Sequence, residues 1–198
     1  MQQHPVALDY PFPTLPDLLR PGLALVFVGI NPSLYAVQRG HYFARRTNRF
    51  WPALSRSRLS APVRAALGRA ELQPEDDEML PRFGIGFTDV VKIASRNSAT
   101  LSGSDFQEWT PRLLERLDRY RPTVACFQGV TGYQAFVRYA LGERAETFAL
   151  GPQARRIGSA RLFLVPNPSP ANAHYRLEDQ ITWFDRLAEY LFACRAGI

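Results

Sequence analysis

LALVFVGINPS, residues 23–33, contains the two features that decide the fold: a continuous apolar run and, directly after it, an uncharged polar loop. Strands that are apolar on both sides belong in a sheet covered on both faces, which is the usual setting of parallel strands. Residues 23–29 are therefore predicted to form a buried strand. The loop Gly29-Ile30-Asn31-Pro32-Ser33, stiffened by proline, then lies at the carboxyl end of that strand.

A second loop of this kind, Asn167-Pro168-Ser169-Pro170, follows the apolar run at residues 162–165. In an open parallel sheet, ligands bind in the crevice outside the carboxyl ends of the strands. The two loops, although far apart in sequence, can therefore meet at one site. Because neither is charged, they are suited to hold a ligand through backbone and amide contacts rather than ion pairs.

Strands and helices alternate along the rest of the chain. Further strands are predicted at residues 83–91, 123–129 and 161–166, with a short strand and turn at 147–156. Helices are predicted at residues 48–59, 61–70, 132–141 and 177–193, and over a segment that Ser104 or Asp105 caps and that ends near Tyr120. This alternation predicts an α/β fold with a mostly parallel sheet and helices on both faces.

The chain shows no internal repeat and no linker, so we expect a single domain over residues 1–198. Residues 1–21 are predicted to form a proline-rich, irregular N-terminal arm. Residues 32–46 are predicted to be a loop, and the acidic stretch 75–78 a solvated helix start. In the last helix, Phe192 is expected on the apolar side.

The composition points to a basic protein of the cytoplasm. The net charge is +6 and the pI about 9.7, and Lys92 is the only lysine. This balance favours an anionic partner such as nucleic acid, although a bias toward arginine also follows from a GC-rich genome. No apolar run approaches the roughly 20 residues of a membrane span, and no leader pattern precedes the fold. The two cysteines, Cys126 and Cys194, exclude a four-cysteine iron–sulfur cluster within this chain.

Two side chains after the first strand have the chemistry to hold a flipped nucleobase. Asn31 offers an NH₂ group for a base edge and an oxygen for a water molecule; the alternative is a turn that its side chain stabilises before Pro32. Phe43 offers an aromatic face for stacking; the alternative is a place in the core.

The run GINPSLYAVQRGHYFARRTNRFWPAL resembles the first signature of the mismatch-specific uracil-DNA glycosylases, the thymine-DNA glycosylase branch of the uracil-DNA glycosylase superfamily. That signature is GINPG, a loop, an FA pair and then NRFW. FGIGFT, residues 83–88, resembles the middle segment of the family, and NPSPANAH, residues 167–174, its closing motif. The likeness extends from about residue 21 to residue 193, with the motifs in order.

The resemblance implies an α/β/α sandwich and a monofunctional glycosylase that uses neither metal nor cofactor. Its substrate would be uracil, and other damaged pyrimidines, in mismatched double-stranded DNA. By position, Asn31 would hold the attacking water, Phe43 would stack on the base, and the Ile30 backbone would contact the base edge. Asn167 and Ser169 would belong to the loop that presses on the DNA backbone.

The sequence departs from the family pattern at two loop positions. Ser33 stands in place of the last glycine of the first motif, and its side chain narrows the space near the sugar. Ala171 stands where relatives carry a leucine wedge, a side chain that fills the hole left by the extruded base. Alanine is too small for this, so His174, Tyr175 or a residue of another loop is expected to take the role.

The third departure is Asp89, because relatives carry an amide or a basic residue in this segment. An aspartate at a strand end can act as a general base for water or stabilise a cationic sugar. The alternative is a carboxylate paired with Lys92 or a nearby arginine.

Basic residues near the first loop are predicted to contact DNA. Arg45, Arg46 and Arg49 are candidate phosphate contacts, each of which would steepen the salt dependence of binding by roughly 0.9 in log–log slope. His41 is expected either to touch DNA or to hold its own loop.

The sequence therefore predicts a monomeric DNA glycosylase in the cytoplasm, associated with the nucleoid if the source is bacterial. Three alternatives stay open at this point. The protein could bind lesions without chemistry, act on free nucleotides, or excise another deaminated base such as hypoxanthine or xanthine.

Overall fold

The computed structural model describes residues 10–144 and 147–196. Within them, five strands and six α-helices follow one another in the order β1 Leu25–Gly29, α1 Leu34–Arg39, α2 Phe50–Arg56, α3 Ala61–Leu67, β2 Ile85–Asp89, α4 Gly103–Tyr120, β3 Val124–Gln128, α5 Val130–Ala140, β4 Gly151–Ile157, β5 Ala160–Val165 and α6 Leu177–Ala196. Short 3₁₀ turns connect several of them. No helix in this part of the chain is long and apolar enough to cross a membrane.

The strands form one sheet in the order β2-β1-β3-β5-β4. The first four strands in this order are parallel to their neighbours, whereas β4 pairs with β5 in antiparallel fashion at the edge. All five residues of β1, β2 and β3 are buried, as expected for strands covered on both faces. The carboxyl ends of β1, β2, β3 and β5 therefore open on the same edge of the sheet.

Two apolar clusters lie on opposite faces of this sheet. On one face, Phe27 of β1 packs with Phe50 of α2 and Phe184 of α6. On the other face, Val26 belongs to a cluster with Trp109 of α4 and Phe136 of α5. The two helical layers confirm the α/β/α sandwich and its mostly parallel sheet.

The observed elements differ from the predicted ones in four places, the first being that Ser102, rather than Ser104 or Asp105, caps α4. The predicted loop 32–46 contains helix α1, which begins because the Ser33 hydroxyl accepts a hydrogen bond from the Ala36 N–H. Only half of the acidic stretch is solvated: Glu75 and Glu78 are exposed, whereas Asp76 and Asp77 are buried and bond to neighbouring residues. Phe192 is not on the packed side of α6 but 74% exposed.

The described part of the N-terminal arm, residues 10–20, packs against the sheet. Leu15 and Leu19 are buried, and Leu18 forms an isolated antiparallel bridge with Phe87 of β2. Residues 1–9 of the predicted arm lie outside the described residues. The arm therefore brings its polar residues, Asp17 among them, close to the carboxyl end of β2.

Candidate active site

A cleft of about 800 Å³ lies at the carboxyl ends of the parallel strands. Both loops singled out in the sequence line it, the first through Ile30 and Asn31 and the second through Asn167 and Ser169. The predicted meeting of the two loops is thus observed. Parallel strands cause it, because β1 and β5 end at the same edge on either side of β3.

The floor of the cleft is a row of residues from neighbouring strands. Gly29 is the Cα partner of Asp89, and Gln128 continues the register that pairs Val28 with Phe127. Residues at the same level of adjacent parallel strands present their side chains to the same face. Asp89 and Gln128 therefore flank Gly29, which leaves a gap between them.

Glycine is required in the middle of this row. A Cβ on residue 29 would overlap Oδ1 of Asp89 and would lie 3.8 Å from Cζ of Phe43. The Asp89 carboxylate and the Phe43 ring thus converge on the same point. The glycine of the first loop serves this close approach as well as the turn.

The Asn31 side chain is fixed by hydrogen bonds from its NH₂ group. Nδ2 donates to the carbonyl oxygen of Ile93 (2.8 Å), to Oγ of Ser95 (2.9 Å) and to the carbonyl oxygen of Pro32 (3.2 Å). The reverse orientation would bring the amide oxygen against two carbonyl oxygens, which cannot donate. The predicted donation from this NH₂ group to a base edge is therefore not available. The remaining polar atom, Oδ1, is an acceptor suited to orient a water molecule.

Asp89 lines the cleft and is also part of a buried ion-pair network. It is 3% exposed, and its Oδ2 has no hydrogen-bond partner among the described residues. The Lys92 ammonium lies 3.6 Å from Oδ2 but closer to the Asp17 carboxylate, at 2.9 Å. Asp89 is thus both a residue of the cleft and a charged neighbour of Lys92, so the two alternatives considered from the sequence do not exclude each other.

The environment of Asp89 favours its protonated form. Burial raises the pKa of this carboxyl to about 6; the Lys92 and Arg116 charges oppose the rise, whereas the Asp17 charge adds to it. Asp17 behaves differently, because the Lys92 and Arg116 cations outweigh the effect of burial and lower its pKa. Two neighbouring carboxyls therefore have pKa values that are pushed apart, which is a frequent property of acid–base sites.

The network behind Asp89 joins distant parts of the chain. Asp17 comes from the arm, accepts a hydrogen bond from Oγ1 of Thr88 (2.7 Å) and lies 3.5 Å from Nε of Arg116 on α4. The phenol of Tyr42 lies 3.2 Å from Nζ of Lys92. Asp17 and Arg116 could not be identified from the sequence, since no local spacing links them to Asp89.

Phe43 is held at the cleft by its loop and by an aromatic neighbour. Its backbone is left-handed, with φ of 53°. The ring stacks on Phe50 at a centroid distance of 4.2 Å and an interplanar angle of 17°. It is half-buried and lines the cleft, so it packs on the core with one face and is available at the cleft.

Asp77 anchors the Phe43 loop. Its carboxylate accepts the Tyr42 N–H (2.8 Å) and lies 2.9 Å from Nδ1 of His41. His41 therefore has the loop-holding role that was one of its two expected roles. The sequence analysis took the stretch containing Asp77 for a solvated helix start, and only the tertiary structure brings Asp77 to residues 41 and 42.

Arg49 ties the second loop to the first part of the chain. Its guanidinium donates to the carbonyl oxygens of Ser169 (2.8 Å) and Asn172 (3.0 Å), and its N–H donates to Pro168 O (3.0 Å). These bonds occupy the groups that a phosphate contact would use. Among the predicted phosphate contacts, Arg45 and Arg46 are exposed, and Arg45 lines the cleft together with Arg96.

Three residues of the closing loop differ in whether they line the cleft. Ala171 is exposed at the cleft, and Tyr175 also lines it, whereas His174 is exposed but is not among the lining residues.

Ile30 lines the cleft, but its carbonyl oxygen already accepts the Val91 N–H (2.9 Å). Gln128, which the sequence analysis did not select, is a buried polar residue at the cleft floor. A polar residue that ends an apolar strand was the signal for it.

The chain is similar to known proteins over most of its length. The model of the family described as the Uracil DNA glycosylase superfamily matches residues 16–192. A protein of Schizosaccharomyces pombe named "G/U mismatch-specific uracil DNA glycosylase" is 30% identical over 177 residues, which cover 88% of this chain and 53% of the relative. The chain thus spans about half the length of this curated relative.

Proposed function

The chain belongs to the uracil DNA glycosylase superfamily, and from that premise we propose that it excises uracil opposite guanine in double-stranded DNA as a monofunctional glycosylase. One observation carries the proposal. The carboxylate of Asp89, the free amide oxygen of Asn31 and the ring of Phe43 come together in one cleft at the strand ends. These three groups are suited to hold a planar base and to position a water molecule at its glycosidic bond.

The base would enter the cleft after it leaves the helix. A uracil opposite guanine is mismatched, so part of the unpairing cost of a few kcal/mol is already met. The flipped base would stack on the exposed side of Phe43, over the gap that Gly29 leaves. The mainly uncharged loops around Asn31 and Asn167 then exclude bulk water from the neutral base.

The chemical step would be hydrolysis of the N-glycosidic bond. A water oxygen bonds to C1′ of the deoxyribose as the bond from C1′ to N1 of uracil breaks. The bonding electron pair leaves with the base, and the proton of the water passes to Asp89. Asp89 then returns this proton, through solvent, to N1 of the uracil anion. Asn31 accepts a hydrogen bond from that water through Oδ1 and orients it. The products are free uracil and an abasic site.

Asp89 suits the base role because of its surroundings. With its pKa at about 6, the carboxylate is ionised at neutral pH and is a stronger base than an exposed aspartate. General-base assistance of this kind contributes about 10²–10⁴-fold. The same negative charge would stabilise the cationic sugar that forms as the bond breaks.

DNA would bind across the mouth of the cleft. Arg45 and Arg96 are exposed there, and the net charge of +6 favours a polyanion. Asn167 and Ser169 lie on the opposite side and would contact the backbone beside the lesion. Tyr175 is the aromatic residue of the closing loop that lines the cleft, which favours it over His174 and Ala171 as the group that fills the vacated space.

The test is excision from defined duplexes under single-turnover conditions. Oligonucleotides carry uracil opposite guanine or adenine, thymine opposite guanine, or hypoxanthine, and alkali converts each abasic site to a strand break. We expect uracil opposite guanine to be cleaved. Binding without breakage would favour a lesion-binding module, and base release from deoxyuridine nucleotides at the same rate would favour an enzyme of free nucleotides.

A further inference from the structure

Gln128 is a buried polar residue that the proposed chemical step does not use. It is the last residue of β3, is 2% exposed, and lines the floor of the cleft beside Gly29. It lies one strand from Gly29 on the side away from Asp89. The carboxylate of Asp89 and the amide of Gln128 thus face each other across the glycine gap.

The Gln128 amide is only half satisfied within the protein. Its Nε2 lies 3.5 Å from Sγ of Cys126, and its Oε1 is buried without a hydrogen-bond partner among the described residues. Sulfur is a weak acceptor. Buried amide oxygens are nearly always paired, so an unpaired one on a residue that lines a cleft needs an explanation. A ligand that donates a hydrogen bond at this point supplies it.

The spacing across the gap fits a pyrimidine ring. Asp89 and Gln128 stand on strands two positions apart, which separates their Cα atoms by about 9.6 Å. In a pyrimidine nucleoside, N1 carries the sugar and the N3–C4 edge lies on the far side of the ring. With N1 turned toward Asp89, that edge is turned toward Gln128.

We propose, on the basis of the function proposed above, that Gln128 selects the base by accepting the N3–H of uracil on its Oε1. Uracil carries a hydrogen at N3, whereas cytosine carries a lone pair there. The partial negative charge of that lone pair would be repelled by the partial negative charge of the Gln128 amide oxygen. Gln128 therefore rejects cytosine, the normal base from which uracil arises by deamination. Thymine also carries N3–H, so this residue does not exclude it.

The test combines a variant of the protein with a change in the base. Gln128→Leu removes the acceptor, and a duplex with N3-methyl-2′-deoxyuridine opposite guanine removes the N3–H donor from the base. For uracil, we expect the wild type to excise the base at least about tenfold faster than Gln128→Leu does. For N3-methyluracil the wild type should lose its advantage over Gln128→Leu, since the donor of the hydrogen bond is missing. An equal ratio for both bases would overturn the proposal.

A binding measurement gives a second, independent readout. Duplexes with 2′-fluoro-2′-deoxyuridine or 2′-fluoro-2′-deoxycytidine opposite an abasic-site analogue resist cleavage and give neither base a pairing partner. Their affinities therefore compare recognition of the two bases without the cost of unpairing. The wild type should prefer the uracil duplex, and Gln128→Leu should lose that preference. An unchanged preference would count against Gln128. Wild-type protein that releases no uracil at all would instead defeat the proposed function.

Gln180→Leu is the matched control. Gln180 is also buried, and its Nε2 also lacks a partner within the described part of the chain, but it lies on α6 and does not line the cleft. We expect this variant to keep the uracil preference. Because Oε1 of Gln128 is unpaired in the free protein, Gln128→Leu should unfold at a temperature no lower than the wild type. Gln128→Met, which lacks the acceptor but has similar length, replaces it if the leucine variant does not fold.

Discussion

The proposed base role of Asp89 makes excision depend on pH. If Asp89 takes the proton of the attacking water, only the ionised form of the enzyme is active. Burial sets the pKa of Asp89 at about 6. The ionised fraction is then about 97% at pH 7.5, one half at pH 6 and about 9% at pH 5. The single-turnover rate should therefore fall about tenfold between pH 7.5 and pH 5.

The groups that face Asp89 make this assignment specific. The pKa of Tyr42 is raised well above its ordinary value by burial, so the phenol stays neutral across this range. The pKa of Asp17 is lowered by Lys92 and Arg116 against the effect of burial, so this carboxylate stays ionised. Asp89 is thus the carboxyl of the network that changes its charge near pH 6.

The assay uses enzyme in excess over a duplex with uracil opposite guanine, from pH 5 to pH 8. Asp89→Asn should lower the plateau rate by about 10²–10⁴-fold and abolish the acid limb. His41→Gln, on the loop beside the cleft, should keep the limb. Asp17→Asn should move its midpoint to lower pH, because the negative charge that raises the pKa of Asp89 is gone. A wild-type rate that does not change between pH 5 and pH 8, or a limb that persists in Asp89→Asn, would refute the base role.

Further variants test the supports of the site. Gly29→Ala should fold but displace the Asp89 carboxylate, with a loss of about 100-fold in the single-turnover rate; a rate equal to the wild type would show that the close approach is unimportant. Arg49→Met should weaken DNA binding without changing its salt dependence, whereas a lost phosphate contact would reduce the log–log slope by about 0.9. Asp77→Ala leaves a buried N–H unpaired and should lower the free energy of unfolding in urea by about 1–3 kcal/mol; a smaller loss would mean that the loop is held by other contacts.

Much of the fold could be predicted because its strands carry a strong local signal. The continuous apolar runs around Val26, Ala125 and Leu164 predict a parallel sheet that helices cover on both faces. Parallel strands then bring the loops after β1 and β5 to one edge, so their meeting followed from topology. Helix α1 was missed because its six residues are too short for a clear period, and the cap by Ser33 decides it.

The electrostatics of the site could not be predicted in the same way. Asp17 and Lys92 are 75 residues apart, and their pairing depends on how the arm crosses β2. The role of Arg49 likewise depends on a loop about 120 residues downstream. Charged side chains look alike in a sequence, because the sequence does not show which of them the fold buries and pairs. Asp89 was identified from its position at a strand end, but its raised pKa came only from the structure.

As a monofunctional glycosylase, which we propose it to be, this protein breaks the glycosidic bond of uracil and leaves the DNA strand intact. The most direct measurement is mass spectrometry of the products from a duplex with one uracil opposite guanine. We expect free uracil and a full-length strand with one abasic site, in equal amounts, and no such products from the Asp89→Asn, Asn31→Ala double variant on the same time scale. Recovery of unchanged duplex, of a released nucleotide, or of a strand already cut without alkali would contradict it.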